Sequence, residues 1–413
     1  MTHRTAGAYT LDDAQGMRQA DAELLSLALI DARNHSLRWL AAFERHVAAG
    51  GADGAPADDV EAPLWLAGHA GWFQEFWIGR HVQRQRGEGC DPAAPRLASI
   101  EPRADAWYEP ARVDRAQRWQ SGLDGAASVR AYLAETLETT LDLLAAADPG
   151  DAALHFFRLA LLHEDRIGEA MAVTAQAMQL DAAATEAPWA AQPARPERAA
   201  LWLPAQRFML GSQPGGLVPC NERWAHEVLL PEFEIDAQAV SWARYVEFAE
   251  DGGYDERHWW SEAGWAWVQQ QGRRAPRYVE QMRQAVLVQR QGRMQRVAGS
   301  QAALHLSRFE AEAWCRWAGR RLPTEVEWEA AACTAGARGF VWGDVFEWTG
   351  GSARGWPGHA AAPGDLDRLP AGGSGVLRGG SWMTRTRCKH PKARRFAAPG
   401  SDALFCGFRS CAP

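Results

Sequence analysis

Apolar residues recur every three to four positions through four stretches of the first 190 residues: Asp21–Ala48, Ala62–Arg84, Ala127–Ala147 and Ala152–Ala182. That spacing is the 3.6-residue period of an amphipathic helix, and the stretches are rich in alanine and leucine, which favour helix. Between the second and third, residues 87–125 lose the pattern and contain Pro92, Pro95, Pro102 and Pro110. An up-down four-helix bundle with one long connection is the expected solution. Residues 183–198 are rich in proline and alanine and read as a linker. From Leu201 the pattern changes to short, Gly-rich and Trp-rich segments, with longer periodic runs only at Ser241–Asp251 and Ser307–Ala332. Fourteen of the 21 tryptophans lie in this half. It predicts an irregular α+β domain whose aromatic side chains wedge loops together and whose loops carry binding. The expected domains are residues 1–190 and 198–413.

Composition narrows the chemistry. The 413 residues exceed one ordinary core, and 47% hydrophobic with 23% charged residues describes a soluble globular chain. A net charge of −7 speaks against nucleic-acid partners, which need a basic face. Lys389 and Lys392 are the only lysines, so the chain before them has none to cradle a phosphate or form a Schiff base. Phosphate-loop NTPases and most pyridoxal enzymes are thereby excluded. No run of 18 apolar residues spans a membrane, and Met1–Gln15 holds no apolar core of a secretory leader. Seven cysteines, an odd number without a CxxC pair, fit reduced thiols in the cytoplasm.

Two histidines fall on the apolar stripes of different predicted helices. His69 lies in Leu66-Ala67-Gly68-His69-Ala70-Gly71-Trp72-Phe73, with Leu66, Phe73 and Trp77 at helical spacing; His163 is in line with Phe156, Leu159 and Ile167. An inward histidine is commonly a satisfied core residue. Bundle interiors are also where metal sites are built, with supporting acids nearby, here Glu164 and Asp165. His35, and His155 about two helical turns before His163, are further candidates. Spacing alone leaves both readings open.

The string Trp65-Leu66-Ala67-Gly68-His69, followed by Phe73-Gln74-Glu75 and later by Leu162-His163-Glu164-Asp165, resembles the DinB-like domain of ergothioneine-pathway sulfoxide synthases. In that family a histidine like His69 and an HxxxH pair bind nonheme Fe(II). The resemblance therefore implies His69 and His163 as iron ligands. Four residues after His163 stands Ile167, which cannot ligate a metal. Water or another side chain then completes the site, with His35, His155, Glu164 and Glu169 as candidates. Otherwise the site is degenerate, and the chain binds hercynine without turnover.

The second half resembles the formylglycine-generating-enzyme-like, C-type-lectin-related domain. The matching strings include Cys220-Asn221-Glu222-Arg223-Trp224, Trp259-Trp260-Ser261-Glu262, Arg321-Leu322-Pro323-Thr324-Glu325, Glu347-Trp348-Thr349, Arg378-Gly379-Gly380-Ser381-Trp382 and Gly407-Phe408-Arg409. The chain is not itself expected to generate formylglycine. That chemistry needs two copper-binding cysteines five residues apart just after the Gly-Gly-Ser turn, and Cys388 has Met383 and Ala393 at those distances.

The pairing of domains resembles the sulfoxide synthases, which use O2 to join a sulfur donor to the imidazole C2 of hercynine (trimethylhistidine). It looks closest to their selenoneine-synthase branch, in which a selenosugar donates selenium. Residues 96–108 and 404–412 carry that narrower likeness. The resemblance implies an Fe(II) enzyme forming a carbon–selenium bond, with sulfur transfer from cysteine or γ-glutamylcysteine as the alternative. Its partners would be small molecules (hercynine, a selenosugar or thiol, and O2), with no nucleic acid and no membrane. Arg115 and Arg118 are spaced like the family's arginines that hold a donor carboxylate, and equally like a solvated surface pair. Arg395 and Phe396 stand where the family contacts hercynine, suited to its carboxylate and its cationic head. The family's proton-supplying tyrosine in the second domain has no counterpart, since Tyr278 is the last tyrosine.

Overall fold

The computed structural model describes residues 10–413 except Pro56, Asp58, residues 121–124, Gln284, Asp367 and Ala371. The helical half contains α1 (Ala14–Met17), α2 (Ala22–Ala48), α3 (Pro63–Gln74), α4 (Ala104–Tyr108), α5 (Arg115–Gln120), α6 (Gly125–Ala145), α7 (Asp151–Ala177) and α8 (Ala182–Thr185). Asp21 caps α2 by accepting from Leu24 N, and Pro63 opens α3, where its missing N–H costs nothing.

The second predicted helix is shorter than its periodicity suggests. After Gln74 the chain makes one π-helical turn, Glu75–Gly79, and leaves the helix at Arg80. The turn aims the buried Glu75 carboxylate at Tyr132 Oη (2.6 Å), Ser99 Oγ (2.8 Å) and Ile100 N (2.5 Å). The fourth helix also stops early, where Gln179 takes φ 55°, so the chain to Ala182 is not one helix.

The four long helices do not simply alternate in direction. Arg158 Nε donates to Ala20 O at one end, and Arg45 Nε donates to Thr185 O at the other, so α2 and α7 run in the same sense. Gly71 faces Tyr132, Leu133 and Thr136, and Gly79 faces Thr139, so α3 and α6 are likewise parallel. The long connection through α4 and α5 makes this possible by returning the chain to its starting end.

The second half holds α9 (Trp242–Glu250), α10 (Glu262–Gln271), α11 (Arg308–Trp317) and α12 (Glu325–Thr334). The run Ser307–Ala332 is two helices because each begins with its own capping box, Ser307 with Glu310 and Thr324 with Glu327, and Pro323 precedes the second. Strands β1 (Leu201–Leu203) and β4 (Phe233–Ile235) pair antiparallel, as do β2 (Gln206–Leu210) and β3 (His226–Leu230). Strands β5 (Val279–Arg283), β6 (Ala285–Arg290) and β7 (Arg293–Val297) form a meander. The central sheet has the order β10-β9-β8-β11, built from β8 (Phe346–Ser352), β9 (Gly375–Gly379), β10 (Arg394–Ala397) and β11 (Cys406–Phe408). Only β8 and β11 are parallel within it.

Around this sheet three fully buried arginines meet carboxylates, two of which, Glu325 and Glu347, belong to the quoted strings. Arg378 bonds Glu329 (2.5 Å), Arg394 bonds Glu325 (2.7 and 3.0 Å), and Arg409 bonds Glu347 (2.7 Å). Such pairs tolerate burial only while both partners remain, so the strings act as matched sets.

Polar contacts join the halves along α7. Arg387 holds Asp165 (2.7 and 2.8 Å) and Asp31 (2.7 Å), Arg395 holds Glu169 (2.7 Å), and Gly216 N donates to Asp151 (3.0 Å). Among the described residues no helix is long and apolar enough to cross a membrane.

Candidate metal centre

His69 on α3 and His163 on α7 come together inside the helical half. Their Nε2 atoms are 3.2 Å apart, and the residues are 8% and 6% exposed. His69 lies between Trp65 and Trp72 (ring centroids 4.7 and 5.5 Å), while His163 stacks on Phe73 (4.0 Å). His69 Nδ1 donates to the carbonyl of Tyr108 at 2.9 Å, which leaves Nε2 unprotonated and facing His163. His163 Nδ1 is buried without a partner. Burial lowers the pKa of His69 to about 4 and that of His163 well below its usual value, so both rings are neutral at pH 7.

A neutral imidazole held by a backbone carbonyl on its far nitrogen is a prepared metal ligand. With metal–imidazole bonds of about 2.0–2.1 Å, as for zinc, nitrogens on adjacent corners lie roughly 3.0–3.4 Å apart. The observed separation and the tautomer of His69 fit a metal held between the two rings.

Ile167 follows one turn after His163 and is buried in the same interior. The other candidate ligands have different work. His35 Nε2 accepts from Trp39 Nε1 at 3.1 Å. His155 lies near Glu88 (3.8 Å) at the start of α7. Glu164 receives Arg33 (2.6 and 3.1 Å) and Gln74 (2.7 Å), tying α2 and α3 to α7. Asp165 faces Arg387, and Glu169 takes Ser381 Oγ (3.2 Å), Thr384 Oγ1 and Arg395. Neither Glu164 nor Asp165 hydrogen-bonds a histidine of the pair. Among the described residues no three His, Cys, Asp or Glu side chains gather where they could share a metal ion.

The remaining sequence candidates fall into two groups. Arg115 and Arg118 both bind Glu61 (3.0 and 2.9 Å), and Arg118 covers the face of Trp65 at 3.9 Å, the ring that stacks on His69. Arg395 and Phe396 lie on β10; Arg395 binds Glu169 and sits 4.9 Å over Phe346, while Arg394 lies over Phe396 at 5.1 Å. Sequence reasoning missed Tyr108, whose carbonyl orients His69. The signal was Gly68, because any Cβ there would strike the Tyr108 ring.

A helical half that buries a pair of neutral histidines is thus joined to a half held by edge-on and tilted tryptophan contacts and by buried arginine–carboxylate pairs. The profile of the sulfatase-modifying factor enzyme 1-like domain matches residues 186–344. The chain is 31% identical to the hercynine oxygenase of Mycobacterium tuberculosis over 405 residues, covering 85% of this chain and 91% of that one. The hercynine oxygenase of Mycolicibacterium thermoresistibile is 30% identical over 93% of this chain and 94% of its own. A formylglycine-generating enzyme of Streptomyces coelicolor is 35% identical over 40% of this chain and 56% of its own. The chain belongs to the family of hercynine oxygenases, the ergothioneine-related sulfoxide synthases.

Proposed function

We propose that the chain is a cytoplasmic, nonheme Fe(II)- and O2-dependent enzyme that forms a carbon–selenium bond between a selenosugar and the imidazole C2 of hercynine. A DinB-like bundle, residues 1–190, would supply the metal site, and residues 198–413 the substrate-facing domain. The observation that carries the reading is the approach of His69 and His163 to 3.2 Å within a chain of the hercynine oxygenase family.

His69 and His163 would hold the iron, which when bound supplies open positions for O2 and the chalcogen donor. The Tyr108 carbonyl keeps His69 in the ligating tautomer. Trp65, Trp72 and Phe73 exclude bulk water from the pair. Phe396 is suited to the trimethylammonium group of hercynine, and Arg395 to its carboxylate where that carboxylate displaces Glu169. The state of the arginine pair favours selenium from a sugar over sulfur from an amino acid. Arg115 and Arg118 are both already paired with Glu61, so a carboxylate-bearing thiol would have to compete with Glu61 to reach them.

The test is aerobic incubation of Fe(II)-loaded protein with hercynine and, in parallel, 1-selenoglucose, cysteine or γ-glutamylcysteine, followed by mass spectrometry. A selenium adduct of hercynine is expected. A sulfur adduct alone would assign the chain to ergothioneine-type sulfoxide synthesis. No adduct, with iron below stoichiometry, would overturn the enzyme reading and leave a hercynine-binding protein.

A further inference from the structure

Three rings of α3 meet one short segment of the long connection. Trp65, His69 and Trp72 follow one another at spacings of four and three residues, so they form a single stripe of the helix. Their planes are nearly parallel, with Trp65 and Trp72 inclined to His69 by 11° and 18°. Each ring presents its N–H to α4: Trp65 Nε1 donates to Trp107 O (2.8 Å), His69 Nδ1 to Tyr108 O (2.9 Å) and Trp72 Nε1 to Asp105 Oδ1 (2.8 Å). Guanidinium groups of the same connection close the column at both ends. Arg118 lies over Trp65 at 3.9 Å, and Arg96 lies 3.7 Å over Phe76, which stacks on Trp72 at 4.7 Å.

The two kinds of contact remove different freedoms of the imidazole. The tryptophan faces block tilting of the ring out of its plane, and the Tyr108 carbonyl blocks turning within it, so Nε2 stays aimed at His163. Two of the three acceptors on α4 are backbone carbonyls, which no substitution there removes. The third is a side chain. Asp105 is gripped by Arg80 (2.8 and 3.0 Å), the residue at which the chain leaves the π turn, and this guanidinium holds the Asp105 carboxyl below its usual range, so that it meets Trp72 as a carboxylate. Trp72 is buried, so without Asp105 its indole N–H is left unsatisfied unless the ring turns. Asp105 also belongs to residues 96–108, the string that carries the narrower likeness, and the geometry gives that string a task within the metal site.

We propose that Asp105 is a positioning residue for the metal ligand: it fixes Trp72 and, through that ring, the plane of His69, with the string around it acting as a clamp. The inference rests on the proposed metal site for its purpose; the ring order it requires in the metal-free chain does not.

The full-length chain, kept free of O2, is titrated with Co(II) against a competing chelator, alongside Asp105→Leu and Asp105→Asn. The same chains, metal-free and labelled with 15N-histidine, are followed by NMR for solvent exchange of the His69 Nδ1–H. Asparagine keeps an oxygen for Trp72 Nε1, and leucine offers none. Asp105→Leu is expected to weaken Co(II) binding about tenfold and to speed that exchange, while Asp105→Asn stays within about twofold of wild type. If Asp105→Leu fails to fold, Trp72→Phe carries the test, because it removes the same hydrogen bond from the other side and keeps a ring against His69. Unchanged Co(II) affinity and exchange in Asp105→Leu, even with lower stability in urea, would overturn the clamp and leave the metal site. Equal losses in Asp105→Leu and Asp105→Asn would also overturn it, by placing the effect in the Arg80 pair rather than in the Trp72 contact. A wild type that binds no Co(II), yet has a protected Nδ1–H that Asp105→Leu exposes, would support the clamp and refute the metal site.

Discussion

Replacing Gly68 with alanine tests whether Tyr108 keeps the histidine pair in register. A Cβ at position 68 would overlap Cε1 and Cζ of the Tyr108 ring. Tyr108 is 2% exposed and stacks on Tyr132 at 5.8 Å, so its ring has no solvent to move into. It must shift within the core and draw its carbonyl from the 2.9 Å contact with His69 Nδ1. Overpacking of this kind costs about 1–3 kcal/mol, and alanine's better helix propensity offsets about 1 kcal/mol, so net destabilisation is about 0–2 kcal/mol. Losing the group that orients a metal ligand costs about 10–100-fold in affinity. Metal binding should therefore suffer more than folding. Titration against a competing chelator measures the first, and urea unfolding of the metal-free protein measures the second. Adding Tyr108→Ala to Gly68→Ala removes the obstructing ring and keeps the backbone carbonyl, so most of the affinity should return. Gly68→Ala protein that binds metal as tightly as wild type would refute the positioning role of Tyr108.

Three further outcomes are expected. Ile167→His places an imidazole one turn after His163, and the chelator assay should show metal held about tenfold tighter or more; unchanged affinity would mean that position 167 does not face the pair. Asp165→Ala leaves Arg387 buried with Asp31 as its remaining acid, at an expected cost of about 3–5 kcal/mol in guanidinium unfolding; a loss below about 1 kcal/mol would show that the interface does not depend on this pair. Burial lowers His35 and His155 to about 4, and His305 and His390 to about 3, against 6.5 in the unfolded chain. Between those values the unfolded chain binds more protons. Stability should therefore be full above about pH 6.5 and fall on acidification to about pH 4, by up to about 1.4 kcal/mol per pH unit for each histidine. A urea midpoint at pH 5 equal to or above that at pH 7 would contradict this.

The helices of the first half are legible as periods, yet two boundaries are not. The π turn at Glu75–Gly79 and the positive φ of Gln179 end helices without disturbing the apolar pattern, because each answers to a local tertiary contact rather than to hydrophobicity. The strings of the second half are readable one by one. Their pairing is not: Arg378 with Glu325 and Arg409 with Glu347 are sequence-distant partners that only the fold brings together. Glu164 and Asp165 were expected to support the histidines because they follow His163. On a helix each residue turns about 100° from the last, so the three side chains point to α3, to Arg33 and to Arg387 instead.

Sequence by itself determined the division into a helical half and a Trp-rich half, the inward placement of His69 and His163, and the isoleucine where the resemblance implies a third ligand. These are one-dimensional facts, written in period, composition and residue type. Tertiary structure decided that the two histidines meet at 3.2 Å, that the Tyr108 carbonyl fixes the tautomer of His69, and that the acids of α7 face arginines rather than the pair. Each of those outcomes depends on which helix lies beside which and in what direction. The long connection between α3 and α6 and the close approach permitted by Gly68 set that arrangement; hydrophobic spacing shows the connection as a lost period but not the end of the bundle to which it returns the chain.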